Sequence, residues 1–255
     1  MIDLPPHPFP GHDGIELTYR ELGTGRALVL LHGFFSTAIE NWVRCGHAEQ
    51  LAARGFRVIM PDLRGHGDSA KPQDASAYPA DVLADDGFAL IEHLGLTDYD
   101  LGGYSLGGRM VVRMLVRGAS PRRAVVAAQG FDEVVRPAGR TRAFFRHFLT
   151  NLGKFKPGSP EQRAEDFLKA FRGDPTALLH VLDTIVTTPE EALSRIETPT
   201  LMLVGSEDSR RASAEALAAA FPHSHYVLMP GDHTTAFTEP DRLGIAIAGF
   251  LAGDL

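Results

Sequence analysis

The chain alternates short apolar runs with longer segments of helical periodicity. Residues 14–20 alternate apolar and polar side chains, which is typical of a half-buried antiparallel strand. Later runs are continuously apolar and end in glycine, proline or polar loops, as strands covered on both faces of a parallel sheet do. These runs predict strands over 27–31, 56–60, 99–102, 123–128, 200–204 and 225–229.

Helical patterns separate most of the predicted strands. They lie over 48–54, within 79–93, and over 109–116 and 240–251. Strands that alternate with helices predict the α/β class, with a mostly parallel twisted sheet and helices on both faces. Residues 133–192 break the alternation because they hold helical patterns without a convincing strand. We therefore expect a core of 1–132 and 193–255, and a helical lid of 133–192 over the carboxyl edge of the sheet.

The composition indicates an ordinary soluble globular protein. The 255 residues are 44% hydrophobic and 22% charged, which is enough chain for one large domain. A net charge of −7 argues against a nucleic-acid partner, and no apolar run approaches the ~20 residues that span a bilayer. The amino terminus lacks a signal-like apolar core, and Cys45 is the only cysteine. We expect a cytoplasmic monomer or small homo-oligomer without membrane insertion.

One pentapeptide gives the strongest indication of chemistry. Gly103-Tyr104-Ser105-Leu106-Gly107 reads G-x-S-x-G and lies between a predicted strand and a predicted helix. A serine at such a sharp turn, a nucleophile elbow, takes a strained backbone conformation, so residues two positions away must lack bulk. Gly103 and Gly107 meet that steric demand. Ser105 is therefore the candidate nucleophile.

A serine hydroxyl needs a base to take its proton, usually a histidine that a carboxylate holds in one tautomer. Asp208 follows the predicted strand 200–204, and His233 follows the predicted strand 225–229. Both side chains should therefore lie with Ser105 at the carboxyl ends of strands, where open parallel sheets gather their sites.

Each of these residues has a plainer interpretation when taken alone. Asp208 could cap the helix that begins near residue 211, and His233 is one of eleven histidines. Three other carboxylates stay open as rivals for the acid: Asp132 past another strand, and Glu207 and Asp232 beside the candidates. The joint placement of the three candidates at strand ends favours the catalytic interpretation.

The tetrahedral intermediate of acyl transfer also needs two amide donors for its oxyanion. We expect one from the backbone of Leu106, at the start of the helix after the nucleophile. The other is expected from Phe34 in His32-Gly33-Phe34, after the predicted strand 27–31. Because the backbone supplies both donors, the two side chains remain free to line a pocket. Neither a metal nor an organic cofactor is expected.

These motifs together resemble the α/β-hydrolase superfamily. The matching pieces, in the family's order over nearly the whole chain, are 32–34, 62–69, 103–107, 205–208 and 231–233. In relatives the segment that corresponds to 64–69 is a structural turn, so it is left out of the catalytic set. The resemblance implies the α/β-hydrolase fold with a helical lid insertion. A serine at position 105 excludes the branches with an aspartate nucleophile, such as haloalkane dehalogenases and epoxide hydrolases.

A serine nucleophile is similar to that of esterases, lactonases, thioesterases, carbon–carbon bond hydrolases and cofactor-free haloperoxidase relatives. We therefore predict a serine hydrolase that cleaves a small carboxylic ester, lactone or thioester through an acyl-enzyme on Ser105. The elbow 103–109 also resembles that of the menaquinone-pathway SHCHC synthase, a lyase that holds an anionic substrate with arginines. That resemblance makes Arg109 a candidate substrate-binding residue. A lyase or carbon–carbon bond hydrolase acting on an anion, and a non-catalytic ligand receptor, stay open as alternatives.

The lid sequence carries an excess of positive charge. Residues 131–172 hold nine basic and five acidic side chains, in a chain whose net charge is −7. A basic lid could attract anionic substrates. The charges could equally decorate solvent-facing helix surfaces, and Arg109 could project into solvent in the same way. The spacing of Arg140, Arg142 and Arg146 could place some of them on one helix face.

Overall fold

An eight-stranded sheet forms the centre of the computed structural model, which describes residues 4–136, 140–238 and 240–254. The strands are β1 (His7–Pro10), β2 (Glu16–Leu22), β3 (Arg26–Leu31), β4 (Phe56–Asp62), β5 (Tyr99–Tyr104), β6 (Ala124–Ala127), β7 (Thr200–Gly205) and β8 (Ser224–Met229). Their order across the sheet is β1-β2-β4-β3-β5-β6-β7-β8. Only the β1–β2 and β2–β4 pairs are antiparallel, so the predicted mostly parallel sheet is confirmed.

Helices cover both faces of this sheet. They are α1 (His47–Ala52), α2 (Val82–His93), α3 (Leu106–Val116), α4 (Phe131–Val135), α5 (Arg140–Thr150), α6 (Pro160–Ala170), α7 (Pro175–Asp183), α8 (Glu190–Leu193), α9 (Arg211–Ala219), α10 (Thr235–Thr238) and α11 (Pro240–Ala252). A π-helical turn spans Ile39–Val43, and a 3₁₀ turn spans Ala75–Ala77. None of the helices in the described ranges combines the length and the apolar character that a membrane crossing needs.

The alternation of side chains along β3 separates two hydrophobic cores. Val29 and Leu31 pack into the core that contains α2, α3 and α9, whereas Leu28 and Leu30 face the core of α1 and α11. Successive side chains of a strand point to opposite faces, so a continuously apolar strand must be covered twice. The sequence prediction of helices on both faces is confirmed.

The antiparallel strand predicted over 14–20 is confirmed as β2, but the first two strands differ from the sequence prediction in two respects. β1 is absent from the sequence prediction because Pro8 and Pro10 interrupt it, yet proline is tolerated on an edge strand, and β1 is one edge of the sheet. The alternating segment 14–20 predicts a half-buried strand, but residues 17–20 are all buried. The buried polar residues of β2 have partners inside the protein. Arg20 pairs with Asp62, and the backbone amide of Thr18 donates to the hydroxyl of Ser69.

A helical insertion separates β6 from β7, as the sequence predicts. Its described residues form α4 to α8 and contain no strand. Arg142 and Arg146 of α5 both contact the carboxylate of Asp183 in α7, at 2.7 Å and 2.5 Å, so these two arginines share one helix face. The side chain of Arg140 lies outside the described part of the chain. The insertion therefore forms a helical layer whose α5 and α7 pack on each other.

Candidate active site

Ser105 stands on the turn between β5 and α3. Its φ is 53° and its ψ is −114°, a conformation that non-glycine residues rarely adopt. A Cβ on Gly103 would lie 2.3 Å from the carbonyl of Gly107, and a Cβ on Gly107 would lie 2.0 Å from the Leu31 carbonyl oxygen. Both glycines are needed because the opposing atoms belong to the backbone and cannot rotate away.

Replacing Gly107 is expected to disrupt the fold. Gly107→Ala should prevent folding or lower the free energy of unfolding by more than about 4 kcal/mol, since the added methyl group collides with the backbone of β3. Gly249→Ala in α11 is the matched control: its Cβ meets nothing within 4 Å, and it should raise the stability by up to about 1 kcal/mol. Urea unfolding followed by circular dichroism measures both. A Gly107→Ala protein as stable as the parent would contradict this geometry.

His233 connects Ser105 with Asp208. Its Nε2 lies 3.1 Å from the Ser105 hydroxyl oxygen, and its Nδ1 lies 2.8 Å from Asp208 Oδ2. The three residues follow β5, β7 and β8, so the carboxyl ends of three parallel strands bring them together. A carboxylate accepts hydrogen bonds, so Nδ1 carries the proton and the Nε2 lone pair faces the hydroxyl. This arrangement can move a proton from the serine to the imidazole.

Asp208 is held as a buried anion. Its side chain is 0% exposed, and it accepts hydrogen bonds from His233 and from the Arg210 amide at 2.9 Å. Burial acts to raise the pKa of Asp208, but these hydrogen bonds outweigh it and hold the pKa below its usual value. The carboxylate is therefore charged at neutral pH and can stabilise a protonated imidazole.

The rival carboxylates are engaged elsewhere. Asp132 is exposed and pairs with Arg136 at 3.3 Å. The carboxylate of Asp232 accepts hydrogen bonds from the amide and hydroxyl of Thr235, which is a local turn contact. Glu207 is exposed. The carboxylate at the imidazole is the one that follows β7.

The amides of Phe34 and Leu106 both lie beside the nucleophile. Leu106 is the first residue of α3, so its N–H has no partner within the helix. A Cβ on Gly33 would lie 3.5 Å from the Ser105 Cβ, which places the loop 32–34 next to the elbow. Neither amide has a hydrogen-bond acceptor among the described residues. Both are available to an oxygen on a carbon that the serine attacks.

A cavity of about 400 Å³ opens over Ser105 and His233. Part of its wall is apolar and consists of Phe34, Leu106, Phe145, Leu182 and Ile185. Another part is charged and consists of Arg109, Asp132, Glu133, Arg136, Arg142 and Arg210. Residues of the helical insertion supply a large share of both parts. A concave site of this size, with an apolar wall and a charged wall, is suited to a small molecule that has an apolar and a polar part.

Arg109 is buried, with 4% of its surface exposed, which excludes the alternative that it projects into solvent. Its terminal nitrogens donate to the carbonyls of Glu133 and Val186 in the insertion, and its Nε has no hydrogen-bond partner among the described residues. Within the described ranges no carboxylate pairs with this guanidinium. Burial and the nearby Arg113 lower the pKa of Arg109 to about 10. The cavity therefore holds a buried cation that forms no ion pair with a carboxylate of the described ranges, although Asp81 and Glu133 lie near enough to oppose the lowering of its pKa.

Much of the predicted lid charge is locally paired. Arg142 and Arg146 share Asp183, and Lys169 pairs with Glu165 at 2.6 Å. These pairs lie on helix surfaces, where ion pairs contribute little. These pairs favour the interpretation that charges of the insertion decorate helix surfaces over the one in which the insertion as a whole attracts anions.

Sequence reasoning missed three residues that surround this site. The Tyr104 hydroxyl donates to the His233 carbonyl at 2.9 Å, and Arg210 Nη1 lies 3.1 Å from His233 Nδ1. Asn41 is 1% exposed and accepts a hydrogen bond from the Gly33 amide at 2.9 Å. Arg210 lies two residues after Asp208, which was a usable signal. Asn41 belongs to no motif, and only the folded chain brings it to the loop.

Comparison with known proteins gives a consistent family. A family model described as alpha/beta hydrolase fold matches residues 26–161. A non-heme haloperoxidase of Rhodococcus erythropolis is 38% identical over 112 residues, which are 44% of this chain and 39% of that protein. Two solved esterases share the fold. The esterase from Exiguobacterium antarcticum is 19% identical with a TM-score of 0.77, and the alignment covers 96% of this chain and 98% of the esterase. The one from Thermogutta terrifontis has 24% identity and a TM-score of 0.78 and covers 99% of each chain.

Proposed function

The chain belongs to the alpha/beta hydrolase fold family, and on that premise we propose that it is a serine hydrolase of small carboxylic esters, lactones or thioesters. The observation that carries the proposal is the continuous contact from Asp208 through His233 to the Ser105 hydroxyl, at 2.8 Å and 3.1 Å. A hydroxyl with a base in reach, and a base oriented by an anion, is the arrangement that acyl transfer needs.

The proposed reaction has two halves. Ser105 attacks the acyl carbon while His233 takes its proton, and the amides of Phe34 and Leu106 donate to the oxyanion. The imidazolium then gives its proton to the leaving alcohol or thiol, and the acyl group remains on the serine oxygen. Water loses a proton to His233 and attacks the acyl carbon. The bond between that carbon and the serine oxygen then breaks, the imidazolium returns its proton to the serine oxygen, and the acid leaves.

Substrate size is proposed from the cavity. A volume of about 400 Å³ accommodates a small acyl compound, and its apolar wall suits a hydrocarbon part of the substrate. We propose that residues 133–192 act as a lid, because Thr141, Phe145 and Leu182 of this segment line the cavity. Such a lid would limit the access of bulk water to the cavity while Ser105 is acylated.

Burst kinetics test the proposal. Short p-nitrophenyl esters should release p-nitrophenol in a burst that matches the enzyme concentration, followed by slower turnover, since the acyl-enzyme forms before it is hydrolysed. A panel of esters, lactones and thioesters of equal chain length then identifies the bond type. Purified protein that binds but never turns over these compounds would favour a ligand receptor instead.

A second candidate is a lyase or carbon–carbon bond hydrolase that acts on an anionic substrate with the same residues. The observation that favours it is Arg109, a buried cation at the cavity without a carboxylate partner among the described residues. Burying a charge without an ion-pair partner is costly, so a substrate carboxylate in the cavity beside this guanidinium would be stabilised.

The anionic preference is tested with Arg109→Gln. We expect kcat/KM for a hemiester of a dicarboxylic acid to fall about 10-fold relative to a neutral ester of the same length, since a charge-assisted hydrogen bond is lost. The ratio of the two substrates cancels any general disturbance of the insertion. Arg113→Gln is the matched control, because Arg113 lies one turn further along α3 and pairs with Asp81 at 2.7 Å. An unchanged ratio in Arg109→Gln would rule out this substrate-binding role.

A further inference from the structure

The loop His32-Gly33-Phe34 carries one of the two proposed oxyanion donors, and its own backbone is fixed by buried side chains. His32 is 0% exposed, Asn41 is 1% exposed and His66 is 4% exposed. Each of them has a nitrogen or oxygen within hydrogen-bond distance of a backbone group of this loop. The loop is thus held from the protein side, whereas surface loops usually turn their peptide groups to water.

The peptide group that carries the Phe34 N–H is held at its carbonyl end. That carbonyl belongs to Gly33 and lies 2.7 Å from His32 Nδ1. Because a carbonyl accepts, Nδ1 carries the proton, and Nε2 of the same ring accepts from the Leu63 amide at 3.0 Å. Burial lowers the pKa of His32, which agrees with the neutral ring that this pattern requires. In a planar trans peptide the C=O and N–H point in opposite directions, so the bond to His32 also sets the direction of the donor.

The preceding peptide group is held by Asn41, whose Oδ1 accepts the Gly33 N–H at 2.9 Å. Asn41 lies in the π-helical turn Ile39–Val43, and such turns are rare and frequently occur at functional sites. The turn is itself fixed, because the Ala38 amide donates to Asp62 Oδ1 at 2.8 Å at the end of β4. On the other side, His66 Nε2 lies 2.5 Å from the Phe34 carbonyl.

The buried side chain of Asn41 costs folding free energy that an apolar residue of the same shape would not cost. Its Nδ2 is buried and has no hydrogen-bond partner in the described part of the chain. A buried amide that satisfies only one end is poorly explained by packing alone, since an isosteric leucine would fill the same volume without an orphaned donor. The gain that offsets it is the single bond to Gly33.

We infer that Asn41 is a positioning residue for the oxyanion hole. By accepting the Gly33 N–H it fixes the peptide that precedes the donor, and the Phe34 N–H remains the free donor of the loop. Asn41 does not line the cavity, so it acts through the loop and not on the substrate. The inference rests on the proposed function, because an oxyanion forms only if Ser105 attacks an acyl carbon.

Asn41→Leu tests the inference. We expect kcat on a p-nitrophenyl ester to fall about 10- to 100-fold with KM changed less than about threefold, because a donor displaced by a fraction of an ångström serves the transition state poorly. Affinity for a trifluoromethyl ketone, which forms a tetrahedral oxyanion on the serine, should fall by the same factor. Inhibition by the product alcohol should stay unchanged, since an alcohol places no oxyanion at the loop donor.

Trp42→Phe is the matched control. Trp42 lies in the same turn, is 1% exposed, and its Nε1 has no partner among the described residues. This variant should shift the melting temperature by a few degrees and leave kcat within about twofold. Asn41→Ala replaces the leucine variant if the latter does not fold.

Four outcomes separate the explanations. A selective loss of kcat and ketone affinity in Asn41→Leu supports the positioning role. An active parent whose Asn41 variants keep full kcat overturns it. A variant in which kcat, product affinity and melting temperature all fall together overturns it as well, because a general loss of this kind indicates a packing role. A parent protein without any esterolysis or burst contradicts the proposed function and removes the inference with it.

Discussion

Ser105→Ala is expected to lower kcat on an activated ester by about 10⁶-fold. Removing the nucleophile of a serine hydrolase costs about as much as removing its whole relay, because the groups act as a unit. A residual rate of about 10³- to 10⁴-fold over water should remain, supplied by the oxyanion donors and by binding. Stopped-flow release of p-nitrophenol from enzyme in excess over ester measures the acylation step directly.

Ser209→Ala is the control for this variant. Ser209 is exposed and lies in the loop after β7, close to the site but without a contact to the imidazole among the described residues. Its kcat should equal that of the parent. Neither Ser105→Ala nor Ser209→Ala relieves the strained backbone of the elbow, so the melting temperature of each variant should stay within a few degrees of that of the parent. A Ser105→Ala protein that keeps more than a tenth of the parental rate would contradict a serine nucleophile.

Asp208→Asn is expected to lower kcat by about 10⁴-fold. The amide no longer holds the proton on His233 Nδ1, so the ring can present a protonated Nε2 to the serine and loses its function as a base. The substitution also removes the anion that balances Arg210, whose Nη1 lies 3.1 Å from His233 Nδ1. A cation left next to the imidazole disfavours the protonated ring that the mechanism forms.

Asp132→Asn distinguishes Asp208 from Asp132, the rival acid that follows another strand. Asp132 has a side chain that is 64% exposed and is paired with Arg136, so its loss should change kcat by less than about threefold. Pre-steady-state acylation rates of both variants give the comparison. If Asp132→Asn were the more damaging substitution, the relay would have to run through the residue that follows β6.

The elbow and the strand ends could be predicted because their determinants are local. The glycines two positions before and two positions after Ser105 are visible in the sequence, and they indicate a turn in which larger side chains would clash. Asp208 and His233 follow apolar strands directly, and parallel strands end at one edge of a sheet. The topology of the sheet was therefore enough to predict that Asp208 and His233 lie near Ser105.

Other features depend on long-range packing that no local pattern encodes. The burial of Arg109 follows from the insertion that covers α3, and its partners are carbonyls 24 and 77 residues away. Asn41 reaches the loop 32–34 through a π-helical turn, for which the sequence gives no periodic signal. β1 escaped prediction because its two prolines argue against a strand unless its place at the sheet edge is known.

The most direct test of the central claim is mass spectrometry after reaction with a fluorophosphonate. The account predicts a single adduct per chain, located on the peptide that contains Ser105 and abolished in His233→Ala, because the hydroxyl needs its base to attack phosphorus. An adduct on another residue, or efficient ester hydrolysis by protein that the reagent leaves unmodified, would contradict it.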